Sequence, residues 1–169
     1  DVGLIYDKDQ FTLESSRSAR LHTPQFPDLR TRDQLVVSGI LAGERVHFIV
    51  NHWPSRLGGE KQSSPKREAA AALTKHMGDL NDDPSNRSCK TILGAQKKQQ
   101  DVQAGGYFNT MWGMFDKGIG TLAYNGSWNL FDQIIISGNL LGKDRSTLKY
   151  IRSEVFNRDF LKQKEGKYN

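Results

Sequence analysis

The stretch Val46-His47-Phe48-Ile49-Val50-Asn51-His52 joins an apolar, strand-forming run to two polar residues at its end. Because a strand is rigid, it can hold Asn51 and His52 at a sheet edge and aim a side chain into a cleft. The next residues are Trp53-Pro54-Ser55-Arg56. In this setting His52 can give a proton or a hydrogen bond to a phosphate oxygen, and Arg56 can add positive charge. The alternative is a structural histidine followed by a rigid Trp-Pro turn.

A second polar segment, Gly78-Asp79-Leu80-Asn81-Asp82-Asp83-Pro84, has the residue types of a metal or phosphate site. On an extended backbone, Asp79 and Asn81 point to one side and Leu80 points to the other. A carboxylate beside an amide suits an oxygen-preferring cation such as Mg²⁺ and can also orient an attacking water. A plain turn is the alternative, since Asn-Asp-Asp-Pro is good turn chemistry by itself. The segment lacks the glycine and glutamate spacing of an EF-hand.

Apolar periodicity predicts an α/β pattern with several antiparallel hairpins. We expect one hairpin from Val2–Tyr6 and Phe11–Ser15. A second hairpin, buried on both faces in its central part, is expected from Gln34–Leu41 and Arg45–Asn51. The two hairpins account for most of the amino-terminal third of the chain.

A helix is predicted over Lys66–Lys75, with Ser64 as its cap and Pro65 in its first turn. Phe131–Ser137 is predicted to be one buried strand, and Gln96–Gln100 an exposed helix face. The stretch from Gly105 to Trp128 is expected to form loops with short elements. Its aromatic residues either line a cleft or pack on the core: Trp112, Phe115, Tyr124 and Trp128.

Composition is that of a globular chain of 169 residues, which suits one domain spanning residues 1–169. Hydrophobic residues make up 36% and charged residues 25%. A net charge of +5 mildly favours polyanionic partners such as nucleic acid. The single cysteine, Cys89, excludes an internal disulfide and a cysteine-based zinc site. No apolar run approaches the ~20 residues of a membrane span.

Together with Arg67-Glu68-Ala69-Ala70 and Phe131-Asp132-Gln133-Ile134-Ile135, and in this order, the two polar segments resemble the endonuclease/exonuclease/phosphatase superfamily. The resemblance covers most of the chain and is closest to bacterial family hydrolases. It implies a DNase I-like four-layer α/β sandwich with two mostly antiparallel mixed sheets, here incomplete. It also implies hydrolysis of a phosphodiester or phosphomonoester by activated water, with Mg²⁺ or Mn²⁺ as cofactor.

The resemblance assigns roles by motif. His52 is implied as a general acid toward the leaving oxygen, Asp79 as acting on the water or a metal, and Asn81 as holding the phosphate. Asp132 is implied as a partner that orients a site histidine. Arg32, in Thr31-Arg32-Asp33, resembles an arginine that contacts phosphate, with an ordinary surface arginine as the alternative. The expected phosphate-binding residues are therefore Arg32, Asn51 and Arg56, and the expected metal ligands are Asp79 and Asn81.

The chain departs from the family pattern in three places. The family's upstream Asn and metal-binding Glu have no counterpart here, nor does its closing Ser-Asp-His. We therefore expect a fragment that is inactive or severely impaired by itself, and that begins inside a longer protein. Third, only His76 and Met77 separate the predicted helix from Gly78-Asp79, where a strand of ~5 residues is expected. Either Thr74–Met77 form a truncated strand or a segment is missing from the sequence, and we favour the second.

The competing functional class is a pseudo-enzyme that binds nucleic acid or a phosphorylated ligand without turnover. The substrate stays open among DNA, RNA, phospholipid and inositol phosphate, because one scaffold can serve many substrates through its loops. We expect a soluble bacterial protein whose compartment also stays open, with secretion or the cell surface as options.

Overall fold

The computed structural model describes residues 2–73, 77–124 and 126–161, with the backbone alone described for residues 73 and 77–79. Its strands are β1 (Phe11–Ala19), β2 (Gln34–Leu41), β3 (Glu44–His52), β4 (Met77–Asp79), β5 (Ala95–Gln96), β6 (Tyr107–Asn109), β7 (Leu122–Tyr124), β8 (Ser127–Asn129), β9 (Asp132–Gln133) and β10 (Ile135–Ser137). Its helices are α1 (Glu60–Leu73) and α2 (Trp112–Phe115), with a π-helical turn at Ser88–Ile92 and 3₁₀ turns at Gln99–Asp101, Gly138–Leu140 and Asp159–Leu161. The predicted α/β class is confirmed.

The largest sheet has five strands in the order β1-β2-β3-β4-β9. The β2–β3 hairpin is confirmed, and Ala42 and Gly43 form its tight turn with φ of 49° and 81°. The expectation that its centre is buried on both faces is wrong. Val37 and Gly39, on one face of β2, are buried, while most neighbouring positions are half-buried. The ring of Phe11 and the carbonyl of Thr12 occupy the space that a side chain at position 39 would need.

The hairpin predicted from Val2–Tyr6 and Phe11–Ser15 is wrong. Residues 2–6 form no strand, and β1 pairs along its length with β2 instead. A turn closed by the Phe11 N–H to the Asp7 carbonyl, 2.9 Å, precedes β1. The nine-residue strand finds a long antiparallel partner in β2, which offers more backbone hydrogen bonds than the short amino-terminal run.

The predicted helix starts earlier than expected. Because α1 begins at Glu60, Pro65 lies inside the helix rather than in its first turn. Gly58-Gly59 turn the chain into the helix with φ of 84° and 99°, a conformation that glycine adopts without strain. Ser64 is not the cap, since its hydroxyl donates to a carboxylate one turn later at 3.1 Å.

The connection between α1 and the second polar segment is short. α1 ends at Leu73, residues 74–76 lie outside the described part, and β4 forms over Met77–Asp79. The truncated-strand alternative placed a strand over Thr74–Met77. β4 overlaps that range at Met77 alone, and Thr74–His76 lie outside the described residues. The loss of a segment from the sequence stays a prediction.

The strand predicted over Phe131–Ser137 is in fact two strands in two sheets. β9 joins the five-stranded sheet, and β10 joins a three-stranded sheet of order β10-β6-β5. Between them, the Ile134 carbonyl accepts from the Thr110 backbone N–H at 3.1 Å and from its hydroxyl at 2.8 Å. This crossing links the two sheets through a single stretch of chain.

The core lies where α1 and the turns after β3 and β4 meet β5 and β10. Its buried members are Leu21, Trp53, Ala70, Ala71, Leu80, Cys89, Leu93, Ala95 and Ile135. These residues come from α1, from the three-stranded sheet, from the π-helical turn and from segments that follow strands of the large sheet, so their burial packs these parts of the chain together.

The middle of the chain forms short elements, as predicted. The exposed helix expected at Gln96–Gln100 is wrong, because this segment is divided between β5 and a 3₁₀ turn. Trp112 packs in the core, while Tyr124 and Trp128 are exposed on the β7–β8 hairpin. No helix within the described ranges is long and apolar enough to cross a membrane.

Candidate functional site

Three neighbouring strands bring three of the predicted site residues to one edge of the large sheet. β3 and β4 run parallel with His52 opposite Asp79, and β9 runs antiparallel to β4 with Asp132 opposite Asp79. Since neighbouring strands lie about 4.8 Å apart, the Asp79 backbone lies between His52 and Asp132, whose backbones are roughly 10 Å apart. The side chain of Asp79 is outside the described part of the structure. His52 is half-buried and Asp132 is exposed.

Backbone hydrogen bonds hold this edge together beyond the paired strands. The Leu80 N–H donates to the Phe131 carbonyl at 2.8 Å, which continues the pairing of β4 with β9. The Asp132 N–H donates to the Thr121 hydroxyl oxygen at 3.2 Å. Asp132 is therefore fixed on one side by β4 and on the other by the chain that leads into the β7–β8 hairpin.

Asn51, which we predicted to contact phosphate, is buried on β3. It precedes His52 in the strand, so the two side chains point to opposite faces of the sheet. Its amide nitrogen donates to the Ile49 carbonyl at 3.4 Å, and only 2% of the residue is exposed. This burial favours a structural role for Asn51 over direct contact with a substrate.

Asn81 follows β4 in a conformation that the extended-backbone prediction does not fit. Its φ of 50° is left-handed, so the chain turns at this residue instead of continuing as a strand. The Asn81 amide nitrogen donates to the Trp53 carbonyl at 2.9 Å. Its own carbonyl accepts from Arg56 Nε, also at 2.9 Å. Asn81 thereby ties the turn after β4 to the turn after β3.

The guanidinium group of Arg56 faces the loop after β4. Its Nη2 atom lies 3.4 Å from Asp82 Oδ1, 3.4 Å from Asp83 Oδ2 and 3.3 Å from Asn86 Oδ1. Its Cζ atom lies 4.4 Å from the ring centroid of Phe131, a cation–π contact. With its donors directed at protein oxygens, Arg56 is better suited to position this loop than to bind the phosphate we predicted for it.

A buried ion pair supports the same loop from the helix side. Arg67 Nε lies 2.8 Å from Asp82 Oδ1, and the two side chains are 0% and 1% exposed. The Ser88 hydroxyl donates to the other carboxylate oxygen of Asp82 at 2.5 Å. Burial raises the pKa of the Asp82 carboxyl, while the hydrogen bonds from Arg67 and Ser88 act in the opposite direction.

Arg67 and Asp82 belong to the sequence motifs described above, but their ion pair was not predicted. A signal was present, because Arg67 lies on an alanine-rich helix, Lys66–Leu73, whose small side chains leave room for a buried arginine. An arginine in such surroundings needs a buried anion, and Asp82 is the one it meets.

Arg32 lies in an open cavity beside this edge. It is exposed, and it lines a space of about 740 Å³ together with Arg30, Asp33 and Leu35. Leu35 of β2 pairs with Val50 of β3. The residues just before β2 therefore lie at the end of the sheet where β3 ends at His52.

The residues at this edge offer oxygen ligands for a divalent cation. Among the described residues, no three or more side chains of His, Cys, Asp or Glu come together as a metal site. Mg²⁺, however, is commonly held by one or two carboxylates plus waters and substrate phosphate. An Asp and an Asn around β4 have oxygen atoms of the kind that such a cation prefers, and water and substrate would supply the remaining ligands.

Comparison with known proteins agrees with the motif resemblance. A family model described as "Endonuclease/Exonuclease/phosphatase family" matches residues 1–169. The α/β architecture, with a five-stranded sheet, a three-stranded sheet and the two-stranded β7–β8 sheet, is accordingly that of a partial DNase I-like fold. No curated protein matches the chain. Enzymes of the matched family are generally hydrolases that act on phosphoesters, and they typically use divalent metals.

Proposed function

We propose, from the premise that this chain belongs to the endonuclease/exonuclease/phosphatase family, that it hydrolyses a phosphodiester or phosphomonoester by attack of water. The observation that supports this most is the strand register that sets His52, Asp79 and Asp132 side by side. A histidine followed across the sheet by two aspartates has the groups that acid–base hydrolysis needs.

His52 is proposed as the general acid. Its half-buried position at the end of β3 leaves the imidazole within reach of a bound phosphate while the strand fixes its backbone. The proton it donates goes to the leaving oxygen as the phosphorus–oxygen bond breaks. Loss of such a proton donor slows a reaction by ~10²–10⁴-fold.

Asp79 is proposed to orient the attacking water and to accept its proton, with Asp132 as the second carboxylate at the same edge. Asp79 and Asn81 would hold Mg²⁺ or Mn²⁺, which would supply charge neutralisation at the phosphate when bound. Arg32 supplies a fixed positive charge beside the phosphate. Arg56 and Arg67 keep the loop that carries Asn81 in place.

The experiment is a hydrolysis assay on bis(p-nitrophenyl) phosphate and p-nitrophenyl phosphate with added Mg²⁺. His52→Gln should lose most turnover, whereas His47→Gln, an exposed position on the same strand, should retain it. His47 is a matched control because its Nδ1 shares a hydrogen bond with the Ser38 hydroxyl at 2.7 Å, five residues along β3 from His52. The variants are compared in whichever protein, this chain or a longer one with the encoded flanking residues, hydrolyses the substrate measurably. Equal turnover of both variants there contradicts the role of His52.

The expectation that this chain is impaired by itself needs a separate comparison. The same assay is run on the chain and on a longer protein that includes the encoded flanking residues. Comparable magnesium-dependent turnover by both overturns the expectation of impairment without touching the assignment of His52.

Binding without turnover is the second candidate. It is favoured by the net charge of +5 and by the exposed Arg32 beside the sheet edge. Phosphate-ester binding by a longer protein that hydrolyses none of the substrates would support it. Lost hydrolysis with retained binding in His52→Gln would instead support an enzyme.

A further inference from the structure

Arg30 is a second exposed arginine in the cavity that contains Arg32. The two residues are separated by Thr31 alone, so their Cα atoms are at most about 7 Å apart. In the part of the chain that the structure describes, neither arginine forms an ion pair. Arg32 alone was assigned to the phosphate at the proposed hydrolytic site. The guanidinium group of Arg30 is therefore available for a second anion.

The charge of the cavity is positive despite the presence of Asp33. The Asp33 carboxylate lies 3.6 Å from Arg20 Nε, so a further arginine outside the lining offsets its charge. The charges of Arg30 and Arg32 therefore remain uncompensated among the described residues. A cleft that combines like charges with protein walls concentrates anions near it.

The position of the cavity relates it to the hydrolytic edge. Ser18 of β1 and Leu35 of β2 line it, and Ser18 pairs with Leu35. In the sheet order these strands lie on one side of β3, while β4 and β9 lie on the other. The cavity residues on β2 and β1 thus lie on the side of His52 away from Asp132, one and two strand spacings from β3, or roughly 5 and 10 Å.

We propose that Arg30 forms a second phosphate-binding subsite beside the phosphate assigned to Arg32, so that the substrate carries another phosphate group beside the one that is cleaved. The proposal rests on the function proposed above and narrows its substrate class. Arginine suits this role because its planar guanidinium can bind a phosphate through two parallel hydrogen bonds. A nucleic acid strand and a small polyphosphorylated molecule share this chemistry.

The first test measures binding rather than hydrolysis, so it can fail independently of the proposed function. Anisotropy of a fluorescent oligothymidylate is followed in increasing salt for the wild-type chain and for Arg30→Gln. Loss of one phosphate contact should weaken binding several-fold at low salt and reduce the slope of log K against log salt by about 0.7. Arg30→Lys keeps the charge and should keep most of the slope.

Arg145→Gln is the matched control. Arg145 is exposed and lies near Leu148, whose N–H donates to Glu44 at the start of β3, the end of that strand opposite His52. This variant should leave the salt slope unchanged. If Arg30→Gln and Arg145→Gln lose the same amount of binding affinity, the effect is one of general charge and the subsite proposal is wrong.

A second arm identifies the source of the second phosphate. If the subsite serves small polyphosphates, calorimetric titration should show weaker binding of inositol hexakisphosphate to Arg30→Gln than to the wild-type chain. If the subsite serves a nucleic acid strand, Arg30→Gln should instead bind the oligothymidylate more weakly. Circular dichroism checks that each variant is folded. If neither probe binds the wild-type chain, or if both bind Arg30→Gln as tightly as wild type, the proposal is wrong.

Discussion

The Nε atom of Arg67 lies 2.8 Å from Oδ1 of Asp82, in an ion pair that solvent does not reach. This pair joins α1 to the loop that follows β4. Charges buried in this way contribute little net stability as a pair, but either one alone is costly in a low-dielectric interior. The loop after β4 therefore depends on a helix residue that touches no part of the proposed substrate.

Arg67→Met should destabilise the chain by about 3–5 kcal/mol, because Asp82 would remain buried without its cation. Urea unfolding followed by circular dichroism measures the change. Lys61→Met, at an exposed position of the same helix, is the control and should stay close to wild type. If the two variants are equally stable, the ion pair does not hold the loop. Adding Asp82→Leu to Arg67→Met should recover part of the loss.

Arg56→Lys should lose about as much stability as Arg56→Gln, although lysine keeps the positive charge. The Nε and Nη2 atoms of Arg56 contact different acceptors of the loop, and a single ammonium group cannot reproduce that fork. We expect a loss of about 1–3 kcal/mol in either variant, with faster hydrogen exchange at residues 81–86. Arg87→Gln, an exposed neighbour, is the control. Unchanged stability with weaker binding of inorganic phosphate would instead support the phosphate contact first predicted for Arg56.

Gly39→Ala should destabilise the large sheet. A Cβ atom at position 39 would collide with the Thr12 carbonyl and with the ring of Phe11, and a backbone atom cannot move aside cheaply. The expected loss is about 1–3 kcal/mol, measured by thermal or urea unfolding. Gly113→Ala meets no atom within 4 Å and lies in α2, so it should be neutral or slightly stabilising. Equal stability of both variants would show that β1 does not pack on β2 as described.

The thiol of Cys89 should be unreactive in the folded chain. Burial raises the pKa of Cys89 from 9.0 to about 12, so the native state keeps the proton that the unfolded state releases. This group therefore contributes stability below pH 9, and that stability is lost as the pH rises toward 12. Iodoacetamide at pH 8.5 should label Cys89 in urea but not in buffer. Rapid labelling under native conditions would mean that the core around Cys89 is open.

The elements predicted correctly from sequence are those that local patterns determine. The β2–β3 hairpin follows from two apolar runs joined by a turn that contains Gly43, and both signals lie within a few residues of each other. The motif resemblance also identified the edge residues His52, Asp79 and Asp132 as a group. Their adjacency in the sheet depends on pairings between distant segments, which periodicity alone does not determine.

Errors arose where tertiary contacts divide or redirect a locally uniform segment. The run from Phe131 to Ser137 has the composition of one strand, and its change of sheet at Ile134, where the carbonyl accepts from Thr110, leaves no mark in the sequence. The phosphate contact of Arg56 stays a prediction, and the loop carboxylates that its guanidinium faces, among them Asp83, could not be foreseen because they are distant in sequence. Asn81 was expected to extend the strand, although its side chain bonds to the turn after β3 and its backbone is left-handed.

The crossing at Ile134 connects the seam between the two sheets to the edge that carries the residues proposed for hydrolysis. Asp132 sits in one sheet and Ile135, with only Gln133 and Ile134 between, is buried in the other. Parting the sheets would pull β9 away from β4 and carry Asp132 out of line with Asp79. The alignment proposed for catalysis therefore depends on the contact between the layers as well as on the pairing of β4 with β9.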